Sequence, residues 1–358
     1  MPVRRFSTAC SAVFALGNSH TVPRLSPPVA SCGLIAGTVV KTLYVMDPLD
    51  RIDVSGDSTY MLMLEGCRRG GSVHWCTPSD LFAVDGRCHA RCAAVEVTQM
   101  APYFHSKEAT DVDLGWFDVV WLRKDPPFDI TYVFTTYLLD LVPRSTLVLN
   151  DPAAIRDANE KMVALRYPEL VPATLVTNQI GRAMDWIANV PGKVVIKPWD
   201  GNGGRGVLVT QHGDGNLRSM LELLTGEETV HILVQEFLPQ IAQGDKRIIL
   251  VDGEPVGWMN RVPQPGDHRG NMHVGATVEP TALSSTDKKI CDSIGSWLKE
   301  SNLLFVGIDT IGPLMTEINV TSPTGIREIN RLMNRHLERE ITDAVESKLA
   351  ARRLGESS

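Results

Sequence analysis

The sequence predicts an α/β protein of two or three domains that opens on a parallel sheet. Three observations predict it. At 358 residues the chain is too long for one ordinary core. Apolar runs such as KTLYVMDP (41–48), SVHWC (72–76) and FDVVWL (117–122) alternate with helical segments, the pattern of strands joined by crossovers. Past residue 160, strands instead pair around glycine-bearing turns, as in VVIKP–DGNGGRG–VLVT and RIILVDGEPVGWM. The expected division is 39–160, 161–235 and 236–345, flanked by an extension (1–38) and a tail (346–358).

Each element has a local reason. Asp57 or Ser58 caps a helix that STYMLMLEGCRR fills and Gly70–Gly71 ends. FDVVWLRKDPP ends a strand in a charged, proline-stopped turn. Asp47 and the Arg123-Lys124-Asp125 cluster therefore lie at carboxyl ends of strands, where ligands of parallel sheets bind. In NDPAAIRDANEKMVALRY, Asp151 reads as an N-cap with Pro152 at the first helical position, and Lys161 as a surface lysine of that helix. Further on come a helix over 216–225, the strand ILVQEFL, a hairpin turning at Asp252-Gly253, a capped helix over 286–300, and the strand pair LLFVGIDTIG / LMTEINV.

Composition excludes some functions. Hydrophobic residues make up 43% and charged ones 22%, which suits a globular protein. The net charge of −7 argues against nucleic acid or an anionic membrane surface as partner. The seven cysteines have no disulfide-framework spacing, and Cys88-His89-Cys92 lacks a second pair at zinc-ligand spacing, so reduced thiols are expected. CGLIAGTVV (32–40) is too short to span a bilayer. Met1–Met46 holds no Asp or Glu, which suits a transit peptide or a translated upstream region. A cytoplasmic location is expected, or an organellar one if that segment is a transit peptide.

The chemistry centres on LMTEINVTSPTGIRE (314–328). Glu317 and Asn319 interrupt an apolar strand two residues apart, so they share a face. Folding back at Gly312-Pro313 brings Asp309 opposite Glu317 to within about one residue of register. Two buried carboxylates together need a cation or a proton, and hard oxygen donors of this kind suit Mg²⁺. The alternative is a solvated sheet edge. DGNGGRGV (200–207) matches G-x-G-x-x-G formally, but a strand follows rather than a helix, so it reads as a flap whose N–H groups cover phosphates, or else as a flexible hairpin tip. Lys197 precedes that flap and reaches phosphates as a point charge. VQEFL offers an exposed strand edge for adenine, with Glu236 near a ribose. Arg247, Arg261 and Arg269 lie in the basic clusters GDKR, NRVP and HRGN, whose natural partners are phosphates and carboxylates.

The succession NEK, VVIKP, DGNGGRG, QEFLP, GDKR, HRGN, GIDTIG and TEINVTSPTGIRE resembles the ATP-grasp ligases. With VMDP, LRKDPPFDITY, LVLNDPAAIRDANEK and VDGEPV it is similar, more narrowly, to bacterial-type glutathione synthetases, over about residues 39 to 345. The resemblance implies an ATP-grasp fold behind an N-terminal parallel-sheet domain. It implies ATP-dependent ligation of γ-glutamylcysteine and glycine through an acyl phosphate, with Mg²⁺, or Mn²⁺ in its place, and a homodimer or homotetramer. By matching motifs, Lys161, Lys197, Gly201, Gly203, Gly204, Gly206, Gln235, Glu236, Leu238 and Asp245 would contact ATP. Asp309, Glu317 and Asn319 would hold the metal. Arg247, Arg261, Arg269 and Asn271 would act on the γ-phosphate and substrate carboxylate. Asp47, Arg123, Ser322, Pro323 and Thr324 would seat the peptide. The sequence departs from the family after HRGN, where His273 and Val274 replace small residues. On the residues alone, another ligase of this superfamily and a non-catalytic ATP-binding module remain open.

Overall fold

The structure, a computed structural model, describes residues 39–267, 269, 270, 272 and 275–355. The extension expected at 1–38 lies outside the described residues, as do Asn271, His273 and Val274.

The first part comprises β1 (Lys41–Met46), α1 (Ser58–Arg68), β2 (Ser72–Cys76), β3 (Leu81–Val84), β4 (Arg87–Val97), β5 (Phe104–Ser106), β6 (Thr110–Asp113), β7 (Val119–Arg123), α2 (Ile130–Leu139), β8 (Leu147–Leu149) and α3 (Pro152–Asp157). Its sheet runs β3-β4-β2-β1-β7-β8, with β5 and β6 also pairing to β4. β2, β1, β7 and β8 are parallel. β7 is buried along its whole length, as an interior parallel strand covered on both faces must be. Asp57 caps α1 by accepting from the Tyr60 N–H, and Asp151 caps α3 by accepting from the Ala154 N–H.

The second part comprises β9 (Thr174–Thr177), α4 (Ile180–Asn189), β10 (Lys193–Pro198), β11 (Leu208–Gln211), α5 (Leu217–Thr225) and β12 (Ile232–Glu236). Its antiparallel sheet runs β11-β10-β12-β9. Strand alternation sends Val194, Ile196, Ile232 and Val234 into a small core against Ile180, Ala183, Ile187, Leu217 and Leu221.

The third part comprises β13 (Asp245–Val251), β14 (Glu254–Val262), β15 (Thr277–Glu279), α6 (Ser285–Glu300), β16 (Phe305–Ile311), β17 (Leu314–Asn319), α7 (Ile326–Met333) and α8 (Leu337–Gly355). Its antiparallel sheet runs β15-β14-β13-β16-β17. A capping box between Ser284 and Asp287 starts α6. Two large apolar clusters each run from the first sheet into the third, so these parts share a core, whereas the cluster of the second part is its own.

Three expectations are corrected. α3 stops at Asp157, so Lys161 sits in the following turn rather than on a helix, and it is buried at 5% exposure. β12 lies between β10 and β9, so VQEFL is an inner strand and not an exposed edge. Residues 346–355, expected as a tail, continue α8 and bury Leu349 against the shared core. No described helix is long and apolar enough to cross a membrane.

Candidate active site

A cleft of about 800 Å³ opens between the second and third sheets. β10 and β12 present to it the face opposite their core, which carries Val195, Lys197 and Gln235. The Lys197 ammonium donates to the Gln235 amide oxygen at 2.9 Å, a neutral partner that leaves its charge available. Burial pulls its pKa below that of a free lysine, against the opposing pull of Glu317.

The glycine-rich turn forms one wall through Gly201, Asn202, Gly203, Gly204 and Arg205. Gly206 lies at its base with φ +70°, and a Cβ there would stand 3.1 Å from Pro198 Cγ. Glu236 and Leu238 line the opposite wall, at the end of β12 and just beyond it. The Lys161 ammonium enters from below: it donates to the Gly201 carbonyl and lies 3.4 Å from Glu317 Oε1.

The floor is one face of the third sheet. Arg247 is opposite Asp309, and Asp309 is opposite Glu317. Arg247 forks onto both Asp309 oxygens, at 2.6 Å from Nε and 2.9 Å from Nη2. Arg261 Nη2 lies 3.0 Å from Asp309 Oδ1, while its Nε donates to Asp245 at 2.5 Å. Burial works to raise the Asp309 carboxyl, but the two guanidiniums overcome it and hold it well below the usual carboxylate range. Burial raises Asp245 and Arg261 only partly offsets it. The Asn319 amide reaches Asp309 Oδ2 at 3.3 Å. Asp309, Glu317 and Asn319 thus gather as expected. Arg247 and Arg261 stand behind them with their guanidiniums on protein carboxylates rather than open to a ligand. Arg269 borders the cleft and pairs with Asp267 at 2.7 Å. Asn271 lies outside the described residues.

A second, smaller cavity has a volume of about 340 Å³, and none of the expected peptide-seating residues Asp47, Arg123, Ser322, Pro323 and Thr324 lines it. Pro126, Phe128, Glu160, Trp199 and Thr321 line it, and it shares Lys161, Gly201 and Asn202 with the main cleft. Arg123, at the end of β7, is buried at 3% exposure and donates to Thr59 Oγ1 and to the Pro323 carbonyl. The Ser322 hydroxyl donates to the Arg123 carbonyl, and the Thr324 carbonyl accepts from Arg247. Asp47 accepts from the Asp125 N–H and pairs with Lys124 at 3.0 Å.

Sequence reasoning missed Glu160, Thr316 and Gly307. A Cβ on Gly307 would stand 3.3 Å from the Arg247 side chain, so glycine there leaves Arg247 its path to Asp309. A glycine inside an apolar strand beside an acidic motif is the signal that marks it. Cys88 and Cys92 are buried thiols pushed up to about 12 by burial, and no His, Cys, Asp and Glu cluster of metal-binding form occurs among the described residues.

The chain matches the family models for the prokaryotic glutathione synthetase N-terminal domain over residues 40–156 and for the prokaryotic glutathione synthetase ATP-grasp domain over residues 160–334. It is 42% identical over 304 residues to a glutathione synthetase of Agrobacterium fabrum, covering 85% of this chain and 95% of that protein. One from Vibrio cholerae is 40% identical over 316 residues, with 87% and 99% covered. Among solved structures, the D-cycloserine synthetase DcsG superposes with a TM-score of 0.61 at 14% identity, covering 87% of this chain and 99% of that one. A RimK domain ATP-grasp protein from Sphaerobacter thermophilus gives 0.57 at 16%, with 86% and 99% covered. At such identities the structural likeness is one of fold alone.

Proposed function

The chain belongs to the prokaryotic glutathione synthetase family and is an ATP-dependent ligase, and from this premise we propose how its residues join γ-glutamylcysteine to glycine. The observation that carries the reading is the row Arg247–Asp309–Glu317, whose two carboxylates line a cleft walled on one side by the glycine-rich turn.

ATP lies between the two sheets. Leu238 and the end of β12 border its base, Glu236 its ribose, and Lys161, Lys197 and the N–H groups of the flap its phosphates. Asp309, Glu317 and Asn319 supply hard oxygen donors on one face, and this set fits Mg²⁺, with Mn²⁺ as the alternative. When bound, the ion supplies neutralisation of charge on the terminal phosphates. Arg247 and Arg261 keep Asp309 ionised for that role, and Arg269, at the border of the cleft, adds positive charge toward the γ-phosphate.

Asp47, Arg123 and the Ser322-Pro323-Thr324 loop seat γ-glutamylcysteine beside Lys161. Its cysteinyl carboxylate attacks the γ-phosphorus and ADP leaves, giving an acyl phosphate. The glycine amine then attacks the acyl carbon and forms the C–N bond; the acyl C–O bond breaks, phosphate leaves carrying that oxygen, and the amine's surplus proton passes to the phosphate or to solvent. No protein nucleophile takes part; the chain contributes positioning and charge. The flap excludes water, which would otherwise hydrolyse the acyl phosphate.

The same reading includes a dimer or tetramer in the cytoplasm. Ile130, Phe134, Tyr137 and Leu141 form an exposed apolar stripe at helical spacing, which supports self-association. A Phe134→Asp variant that sediments like the parent would remove that support.

The deciding experiment measures ADP and phosphate release by the purified chain. Release that requires γ-glutamylcysteine and glycine together is expected. Release with either alone, or only with another acceptor, would overturn the assignment.

A further inference from the structure

Glu160 occupies the turn between α3 and a short 3-10 segment (163–166), next to Lys161. It lines the smaller cavity beside the cleft, and it bonds to the chain at the end of β17 and just beyond it. Its backbone carbonyl accepts from the Ile318 N–H at 3.0 Å. Its carboxylate Oε1 accepts from the Val320 N–H at 3.2 Å, the Thr321 N–H at 3.3 Å and the Thr321 hydroxyl at 2.7 Å. These four donors flank Asn319 on both sides.

The next residue, Lys161, reaches the flap carbonyl of Gly201 and the Glu317 carboxylate. One dipeptide therefore joins three parts of the site: the strand of Glu317 and Asn319, the glycine-rich turn, and the loop leading to Ser322-Pro323-Thr324. Here a carboxyl side chain binds the two residues that separate Asn319 from the proposed peptide-seating loop.

We propose that Glu160 is a positioning residue for the ligation, holding Asn319 and Lys161 in mutual register at the terminal phosphates of ATP. The inference rests on the glutathione synthetase reading. Its effect passes through Asn319 and Lys161, since Glu160 itself faces protein donors. Displacing a reacting group by about 1 Å costs on the order of 100-fold in rate, so loss of this tie acts chiefly on kcat.

The test uses the full chain and two variants. Glu160→Gln keeps an acceptor oxygen for the three donors, and Glu160→Ala removes it. kcat and KM are measured for all three substrates below each variant's melting temperature. Separately, binding of AMP-PNP is titrated by calorimetry across a range of Mg²⁺ concentrations. The expected result for Glu160→Ala is a kcat lower by about 30-fold or more with the KM for glycine little changed, and a Mg²⁺ requirement for nucleotide binding raised severalfold. Glu160→Gln is expected within about threefold of the parent in both readouts. An unchanged kcat per folded molecule in the alanine variant would overturn the proposal. So would equal impairment of both variants, which would make charge, not the accepted bonds, the cause.

If Glu160→Ala does not fold, Thr321→Val cuts the shortest of the three bonds. It is expected to lower kcat by about threefold to tenfold, and an unchanged kcat would again overturn the proposal. If the parent protein makes no ADP with γ-glutamylcysteine and glycine, the underlying reading fails, while the Mg²⁺ dependence of AMP-PNP binding still decides the role of Glu160.

Discussion

Asp309 and Glu317 face each other across β16 and β17, and only Asp309 is tied to arginine. The two carboxylates of one candidate metal site therefore differ in what their loss would do. Glu317→Ala removes a half-buried donor whose nearest cation is Lys161, and turnover should fall by at least about 100-fold with the circular dichroism spectrum unchanged. Asp309→Ala leaves the buried Arg247 and Arg261 short of their shared counter-charge. It should also cost about 3–5 kcal/mol of stability, read as a fall in denaturant midpoint. Equal stability of the two variants would contradict this division.

Metal removal should stop the reaction. Treatment with EDTA is expected to abolish ADP formation, and added Mg²⁺ or Mn²⁺ to restore it. Glu317→Gln, which keeps one oxygen but loses the charge, should need severalfold more Mg²⁺ for half-maximal rate. Activity that survives EDTA would remove the metal from the reading.

Lys197, as proposed ligand of the phosphates, should set a pH limit on nucleotide binding. Burial favours its neutral amine, so it loses its proton at a lower pH than a free lysine. The phosphate-binding charge is present below that pKa and disappears as pH rises through it. kcat/KM for ATP should therefore decline on the alkaline side before ordinary lysines titrate. Lys197→Arg, which stays charged, should lack that decline whatever its absolute activity. The same alkaline limb in Lys197→Arg would assign it to another group.

The flap should govern coupling rather than binding alone. Gly206→Ala places a side chain at φ +70° and against Pro198, a strain of about 1–2 kcal/mol that disfavours the present turn. Water then reaches the acyl phosphate, and phosphate released per glutathione formed should exceed one. A strict one-to-one ratio in this variant would show that the flap does not guard the intermediate.

Much of the fold was legible because its signals are local. Asp57, Asp151 and Ser284 cap helices through bonds to residues three positions on, which a sequence displays directly. The parallel core strands announced themselves by continuous apolar runs. Lys161 was misjudged because its burial comes from the flap and β17, both distant along the chain. The inner position of β12 was invisible for the same reason: β9 covers its far side through pairing across more than fifty residues.

The sequence by itself determined the donors, Asp309, Glu317 and Asn319, and a two-residue turn at Gly312-Pro313 that must fold one strand onto the other. It did not determine that they meet. The turn pairs Ile311 with Leu314 and Thr310 with Met315, a ladder that would continue with Thr316 opposite Asp309 and turn Glu317 to the other face. A bulge after Asp309 shifts the register by one and brings Glu317 opposite it instead. Strand faces alternate with a period of two, so that single residue separates a candidate metal-binding row from two carboxylates on opposite sides of a sheet, and only packing in three dimensions chooses between them.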